Sequence, residues 1–299
     1  MASVIHRCIQ KQWINPPNWI GPNLHYEGVT GSVAYGMTND MSDMDICAWA
    51  IPPVADVFPH LDGQIIGFGK QRNRFKTWQQ HHIEDKEKKR EYDITIYNIV
   101  DFFNLCLGNN PNMIDALFLP RRCILFSTQT AELVRDHRRE FLHRGCWYSY
   151  RGYAFSQMNK IKSKTTSTNP KRAASIQEHG FDLKYASHLV RLLLQVEEIL
   201  LSGDLHLDRN SEMLKSIRRG EWDLPRIEKW AAEKETSLEL LFAQSKLPDE
   251  PDEEKLKRLL MKCLESHYGS LDKAIKLDKS IGDLVRDMED VLKKYKTGE

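Results

Sequence analysis

Two carboxylates stand two residues apart in Ser42-Asp43-Met44-Asp45, at the opening of a run that alternates and then turns apolar to Ala50. That pattern is a half-buried strand, and on a strand residues two apart point to the same side. Asp43 and Asp45 therefore project together. Paired carboxylates repel, so the arrangement costs stability unless a cation sits between them. Hard oxygen ligands of this kind suit Mg²⁺ carried with a nucleoside triphosphate. Just upstream stands Gly31-Ser32-Val33-Ala34-Tyr35-Gly36. Gly31 has no Cβ and lets the backbone come close to a ligand. Ser32 begins a helical turn whose unbonded N–H groups and hydroxyl can hold phosphate oxygens. A further signal lies on a long helix, Phe181 to Leu201. Leu189, Val190, Leu193, Val196 and Leu200 make its core face. Lys184, His188, Arg191 and Gln195 recur at spacings of four, three and four, which keeps them on one face. A basic stripe on so apolar a helix faces either water or an anion across a cleft.

The elements that must position these residues follow from local pattern. Leu24 to Thr30 is a first strand, Ser32 to Gly36 a helical turn, and Asp43 to Ile51 a second strand ended by Pro52-Pro53. Residues 54–90 are less regular, with turns at Gly63, Gly67 and Gly69. Their charged end, Glu84 to Arg90, is expected as an exposed loop or hairpin tip. His81-His82 is expected in a solvated loop, because adjacent positions rarely face one metal. Tyr92 to Tyr97, rich in β-branched and aromatic residues, is a strand carrying Asp93. Asn98 caps a helix over Ile99 to Leu107 that Gly108 stops, and Asn110-Pro111 starts another. From about Phe126 the character is helical: Thr128 to Leu142, Tyr148 to Lys162, Leu214 to Arg219, Leu224 to Ala243, Glu254 to Leu264 and Asp278 to Tyr295. Between Ser163 and Pro170 lies a polar loop flanked by Lys160, Lys162, Lys164, Lys171 and Arg172. It is either a solvated linker or a basic loop that meets nucleic-acid phosphate.

Composition narrows the classes. The chain has 299 residues and a net charge of +1, so no global basic field announces nucleic acid. The polar N-terminal stretch is unlike a signal peptide, and no apolar run approaches a membrane span. Six scattered Cys without a Cys-x-x-Cys pair fit reduced thiols in a cytoplasmic protein.

Gly31-Ser32, Gly36 and Asp43-x-Asp45 in this order are similar to the motif of the nucleotidyltransferase superfamily of DNA polymerase beta. The run Gly180-Phe181-Asp182-Leu183-Lys184-Tyr185-Ala186-Ser187-His188-Leu189-Val190-Arg191-Leu192 sharpens the match. It resembles the helical signature of a bacterial and phage branch associated with RNA repair ligases, with Phe181 where that branch has Tyr. Gly108-Asn109-Asn110-Pro111 with Leu117-Phe118, Gly203-Asp204-Leu205 and Ile217 to Glu221 resemble it too. The likeness runs over roughly 24–250 and is weakest over 54–90. It implies an α+β fold: a nucleotidyltransferase core of small mixed sheet and helices over 1–125, and an all-helical region over 126–299 completing the nucleotide and acceptor cleft. It implies Asp93 as a third carboxylate beside Asp43 and Asp45, the three holding two Mg²⁺ or Mn²⁺ ions. Gly31, Ser32, Lys184, His188 and Arg191 would hold the nucleotide, an NTP such as ATP, with an RNA end as acceptor. Two rivals stay open: transfer to a small molecule or protein, and a non-catalytic nucleotide-binding module. Oligomeric state stays open as well.

Overall fold

The computed structural model describes residues 3–38, 43–71, 73–163 and 166–269. The expected helix Asp278 to Tyr295, together with Ser42 and Lys164, lies outside them. The fold is α+β, a five-stranded mixed sheet followed by a helical C-terminal region.

The strands are β1 (Leu24–Val29), β2 (Asp43–Ala50), β3 (Thr77–Asp85), β4 (Arg90–Asn98) and β5 (Ile124–Ser127), in the order β3-β4-β2-β1-β5. β2 and β4 are parallel; the other pairs are antiparallel. β4 shows why these residues form a strand. Tyr92, Ile94 and Ile96 are buried in the core, while Asp93, Thr95 and Tyr97 between them are half-buried on the other face. The period of two separates a packing face from a chemical one.

Two strands depart from the sequence expectation. Residues 54–90 hold a nine-residue edge strand, β3, and His81-His82 lie on it and not in a loop. Its sequence is polar because an edge strand is held mainly by its backbone ladder. The charged run after it is the hairpin tip. β5, within a segment expected to lead into helix, pairs with β1 across the position where the sequence changes character.

The helix α1 (Val4–Gln10) is tied to the sheet at both ends. Ser3 Oγ donates to Glu27 Oε2 at 2.5 Å and the Val4 N–H to Glu27 Oε1 at 2.9 Å. Arg7 pairs with Asp85 on β3, where Tyr92 OH also donates. The Proline-bounded α2 (Val54–Val57) is one turn. Next come α3 (Ile99–Leu107) and α4 (Pro111–Leu117), capped by Asn98 and Asn110 as their sequences require. The helix expected over Thr128 to Leu142 breaks at His137 into α5 (Gln129–Asp136) and a 3₁₀ turn, Arg138–Phe141.

Beyond it run α6 (Cys146–Ser163), α7 (Pro170–His179), α8 (Leu183–Ser202), α9 (Ser211–Arg218), α10 (Leu224–Gln244) and α11 (Glu253–Tyr268). α7 was not expected, although Asn169 caps it, Pro170 opens it and Gly180 closes it in the left-handed conformation. α8 is the hub: Leu189, Val190, Leu193, Val196 and Leu200 are all buried, and it packs on α6, α7, α9 and α10. Truncating one of these to Ala would cost about 2–5 kcal/mol.

Candidate active site

β1 ends at Val29, and the chain turns sharply through Gly31, whose φ is +72°. A Cβ there would meet Asp45 Oδ2 at 2.8 Å, so glycine is required both for the turn and for the carboxylate beside it. The Thr30 N–H donates to the Asp45 carbonyl at 2.8 Å and fixes that backbone in place. Gly31–Val33 form a 3₁₀ turn with Ser32 exposed.

Asp45 on β2 stands in register with Asp93 on the parallel β4, and Asp43 with Glu91. Adjacent strands lie about 4.8 Å apart, so the Asp45 and Asp93 side chains share one face at close range. The Asp45 carboxyl is pushed above the usual carboxylate range, first by burial, then by the charges of Asp93 and Asp43; Lys184 and His81 act the other way. Hard oxygen donors with this excess of negative charge are the chemistry a divalent cation requires. Asp43 is exposed and outside the cavity lining, and reaches the centre through its charge on Asp45.

Asp93 is held by β3. The ladder slips by one residue between Gln80 and Ile83, so His81 and His82 both oppose Asp93. The His82 N–H donates to Asp93 Oδ1 at 2.8 Å, and His81 Nδ1 lies 3.4 Å from Oδ2. His82 Nδ1 bonds Glu91 Oε1 at 2.6 Å, and that carboxylate pushes the imidazole pKa up.

Above the sheet, α6 and α8 roof a cavity of about 660 Å³, large enough for a nucleotide. It is lined by Gly31, Ser32, Asp45, Asp93, Lys184, His188 and Arg191 together. Seven of the eight expected site residues thus line one volume, and Asp43 is outside its lining.

The stripe on α8 differs from expectation in its chemistry. Lys184 is exposed to the cleft and acts on Asp45. Arg191 is buried: Nη1 donates to Asp115 Oδ2 at 2.5 Å and to Gln195 Oε1 at 2.9 Å. Gln195 Nε2 donates to Asp115 Oδ1 at 2.8 Å and Tyr35 OH to Oδ2 at 2.6 Å. Burial pushes Asp115 up while these donors pull it down, and Asp115 keeps Arg191 protonated despite its own burial. The guanidinium is therefore engaged by protein, with its carbon 4.4 Å from the Tyr35 ring centre. His188 is pushed down to about 3, first by burial and then by Arg191, Lys184, Arg218 and Arg172. It is neutral at neutral pH, because it is buried and because cations crowd it.

That crowding was not foreseen. Arg172, expected to flank a loop, is on α7, donates Nε to Asp182 Oδ2 at 2.7 Å and stacks 4.3 Å from the Tyr185 ring centre. Lys160 Nζ lies 5.6 Å from the same ring, and Arg218 reaches the cleft from α9. Among the Asp, His, Lys and Arg residues of the lining, Asp115, His81, Lys160, Arg172 and Arg218 are the ones that the sequence reading did not place at the nucleotide. An isolated carboxylate inside Met113-Ile114-Asp115-Ala116-Leu117 was the available sign for the first.

Among the described residues, no helix is long and apolar enough to cross a membrane. The six cysteines are buried free thiols. No curated protein matches the chain. The turn, paired carboxylates and helix signature that build this cleft fall inside residues 10–262, which match the model of the RNA repair pathway DNA polymerase beta family, and the chain belongs to that family.

Proposed function

We propose that the protein transfers a nucleoside monophosphate from an NTP to an acceptor hydroxyl, at an RNA end, with release of pyrophosphate. The observation that carries this is the meeting, in one nucleotide-sized cleft, of the Gly31-Ser32 turn, the Asp45–Asp93 pair and a group of cations around His188. Asp43, Asp45 and Asp93 would hold two Mg²⁺ or Mn²⁺ ions. Such ions lower the pKa of an attacking hydroxyl and stabilise entering and leaving oxygens. Ser32 and the backbone of its turn hold phosphate oxygens. Lys184, with Arg172, Lys160 and Arg218 nearby, offsets charge growing on departing pyrophosphate. Arg191 acts at one remove, by holding Asp115 and Tyr35 behind the phosphate turn.

The test is incubation with each α-³²P-labelled NTP, Mg²⁺ or Mn²⁺, and a mixed RNA pool, followed by separation of products. Label on RNA that disappears in Asp45→Asn supports the reading. Label confined to a small molecule or to protein moves it to another acceptor class. No label with any acceptor, from protein that still binds NTP, leaves a binding module.

A further inference from the structure

We propose that the two-histidine bulge of β3 is a positioning device for Asp93, with His81 and the His82 N–H fixing its two carboxylate oxygens for the cation. The proposal rests on Asp93 being a metal ligand.

A regular antiparallel ladder sets one residue opposite each partner. Here Gln80 pairs Ile94 and Ile83 pairs Tyr92, so two residues stand opposite Asp93 alone. The bulge falls at this carboxylate and nowhere else along the β3–β4 pairing. The extra residue is accommodated by a left-handed φ of +55° at His82, although no glycine is present. A β-bulge re-aims groups at a defined point of a strand, and strained backbone at a non-glycine residue persists where the surroundings over-determine it. Its effect is visible in the contacts. The His82 N–H turns out of the ladder onto Asp93 Oδ1 at 2.8 Å. The His81 ring lines the cleft with Nδ1 3.4 Å from Oδ2. The His82 ring bonds Glu91 Oε1 at 2.6 Å, which holds the bulge from outside.

Asp45 is held through its backbone, where the Thr30 N–H donates to its carbonyl at 2.8 Å. Asp93 stands between Asp45 on β2 and the two histidines on β3, and the contacts to its two oxygens come from β3. Groups that orient metal ligands govern affinity nearly as much as the ligands do.

The register supplies a clean variant. Deleting His82 brings the ladder into regular register with Ile83 still opposite Tyr92, so the inward faces stay as they are. The deletion removes the extra N–H and leaves His81 on the cleft side. His81→Ala removes the ring alone. His81→Asn puts an amide nitrogen close to the place of Nδ1. We would measure Mn²⁺ affinity by equilibrium titration, thermal stability, and nucleotide transfer. The expected result is a loss of about tenfold or more in Mn²⁺ affinity for the deletion and for His81→Ala, with recovery of most of it in His81→Asn. A purely structural role would not give that recovery. Unchanged Mn²⁺ affinity in folded His81→Ala and in the folded deletion would overturn the proposal, as would loss in His81→Asn equal to that in His81→Ala. Should the deletion fail to fold, the two His81 variants decide. If Mn²⁺ affinity follows the expected pattern but the wild type transfers no nucleotide, the transfer reading fails and the positioning role stands.

Discussion

At the scale of single residues, Asp45 carries the most consequence. Its carboxyl is pushed up from an ordinary 3.8 by burial and by Asp93 and Asp43. A pKa raised by folding means that the folded protein favours the protonated form. Without metal, stability from this group is present in full below pH 3.8 and is lost as pH rises through the raised value. In EDTA near neutral pH, Asp45→Asn should therefore melt above the wild type, and the gap should close as pH falls toward 3.8. Adding Mg²⁺ should reverse the order, since the wild type alone keeps the full ligand set. Transfer should fall on the order of 100-fold or more, as for loss of a charge-stabilising group in a transition state. Differential scanning fluorimetry across pH, with and without Mg²⁺, checks the first part. A variant that melted with the wild type at every pH would show that the pair is not strained. Gly31 belongs to the same logic: a side chain there would strain the left-handed φ and push the Asp45 carboxylate from its place.

At the scale of elements, Arg191 and Lys184 share a helix face but do different work. Arg191 joins α8 to Asp115 on α4 and to Tyr35 beside the Gly31–Val33 turn. Removing one member of a buried ion pair costs about 3–5 kcal/mol because it strands the other charge. Arg191→Met should lose that much in urea denaturation and lose activity with it. Adding Asp115→Asn should restore part of the stability, because the stranded charge is gone. Lys184→Ala, exposed, should leave the denaturation midpoint in place and change only KM or kcat. Equal stability losses in both single variants would sink this division. The division also shows what sequence could carry. Spacing placed Lys184, His188, Arg191 and Gln195 on one face correctly, and the caps at Asn98, Asn110 and Gly203 were legible because backbone demands are local. What that face would meet was not legible, since Asp115 is distant in the chain. β3 escaped because Gln79, Gln80, His81 and His82 are polar, and an edge strand needs little apolar patterning. α7 escaped for a similar reason, its cap residues outweighed by the polar run around them.

At the scale of the molecule, a net charge of +1 gives no long-range field to draw in RNA, so acceptor binding must depend on local groups. The sequence offered one cluster, Lys160 to Arg172. The fold divides it. Lys160 and Arg172 gather at Tyr185 and line the cleft, and Lys162 pairs with Glu228 on the helical side. Two cations that line the cleft, Lys160 and Arg172, are thus ones that the sequence reading weighed for RNA. Every phosphate contact with single-stranded nucleic acid contributes roughly 0.7 to the slope of log affinity against log salt. The double variant Lys160→Gln with Arg172→Gln should weaken NTP binding while leaving the salt slope for RNA unchanged. Gln at 172 keeps an amide donor for Asp182, which limits damage to the start of α8. Fluorescence anisotropy of a labelled RNA over a salt series, beside titration with a non-hydrolysable NTP, reads both quantities. A slope reduced by about 1.4, with NTP affinity intact, would assign the pair to the acceptor groove instead. Loss of both would mean that acceptor and triphosphate pass over the same cations, so the end being extended would lie directly against the nucleotide at Asp45 and Asp93.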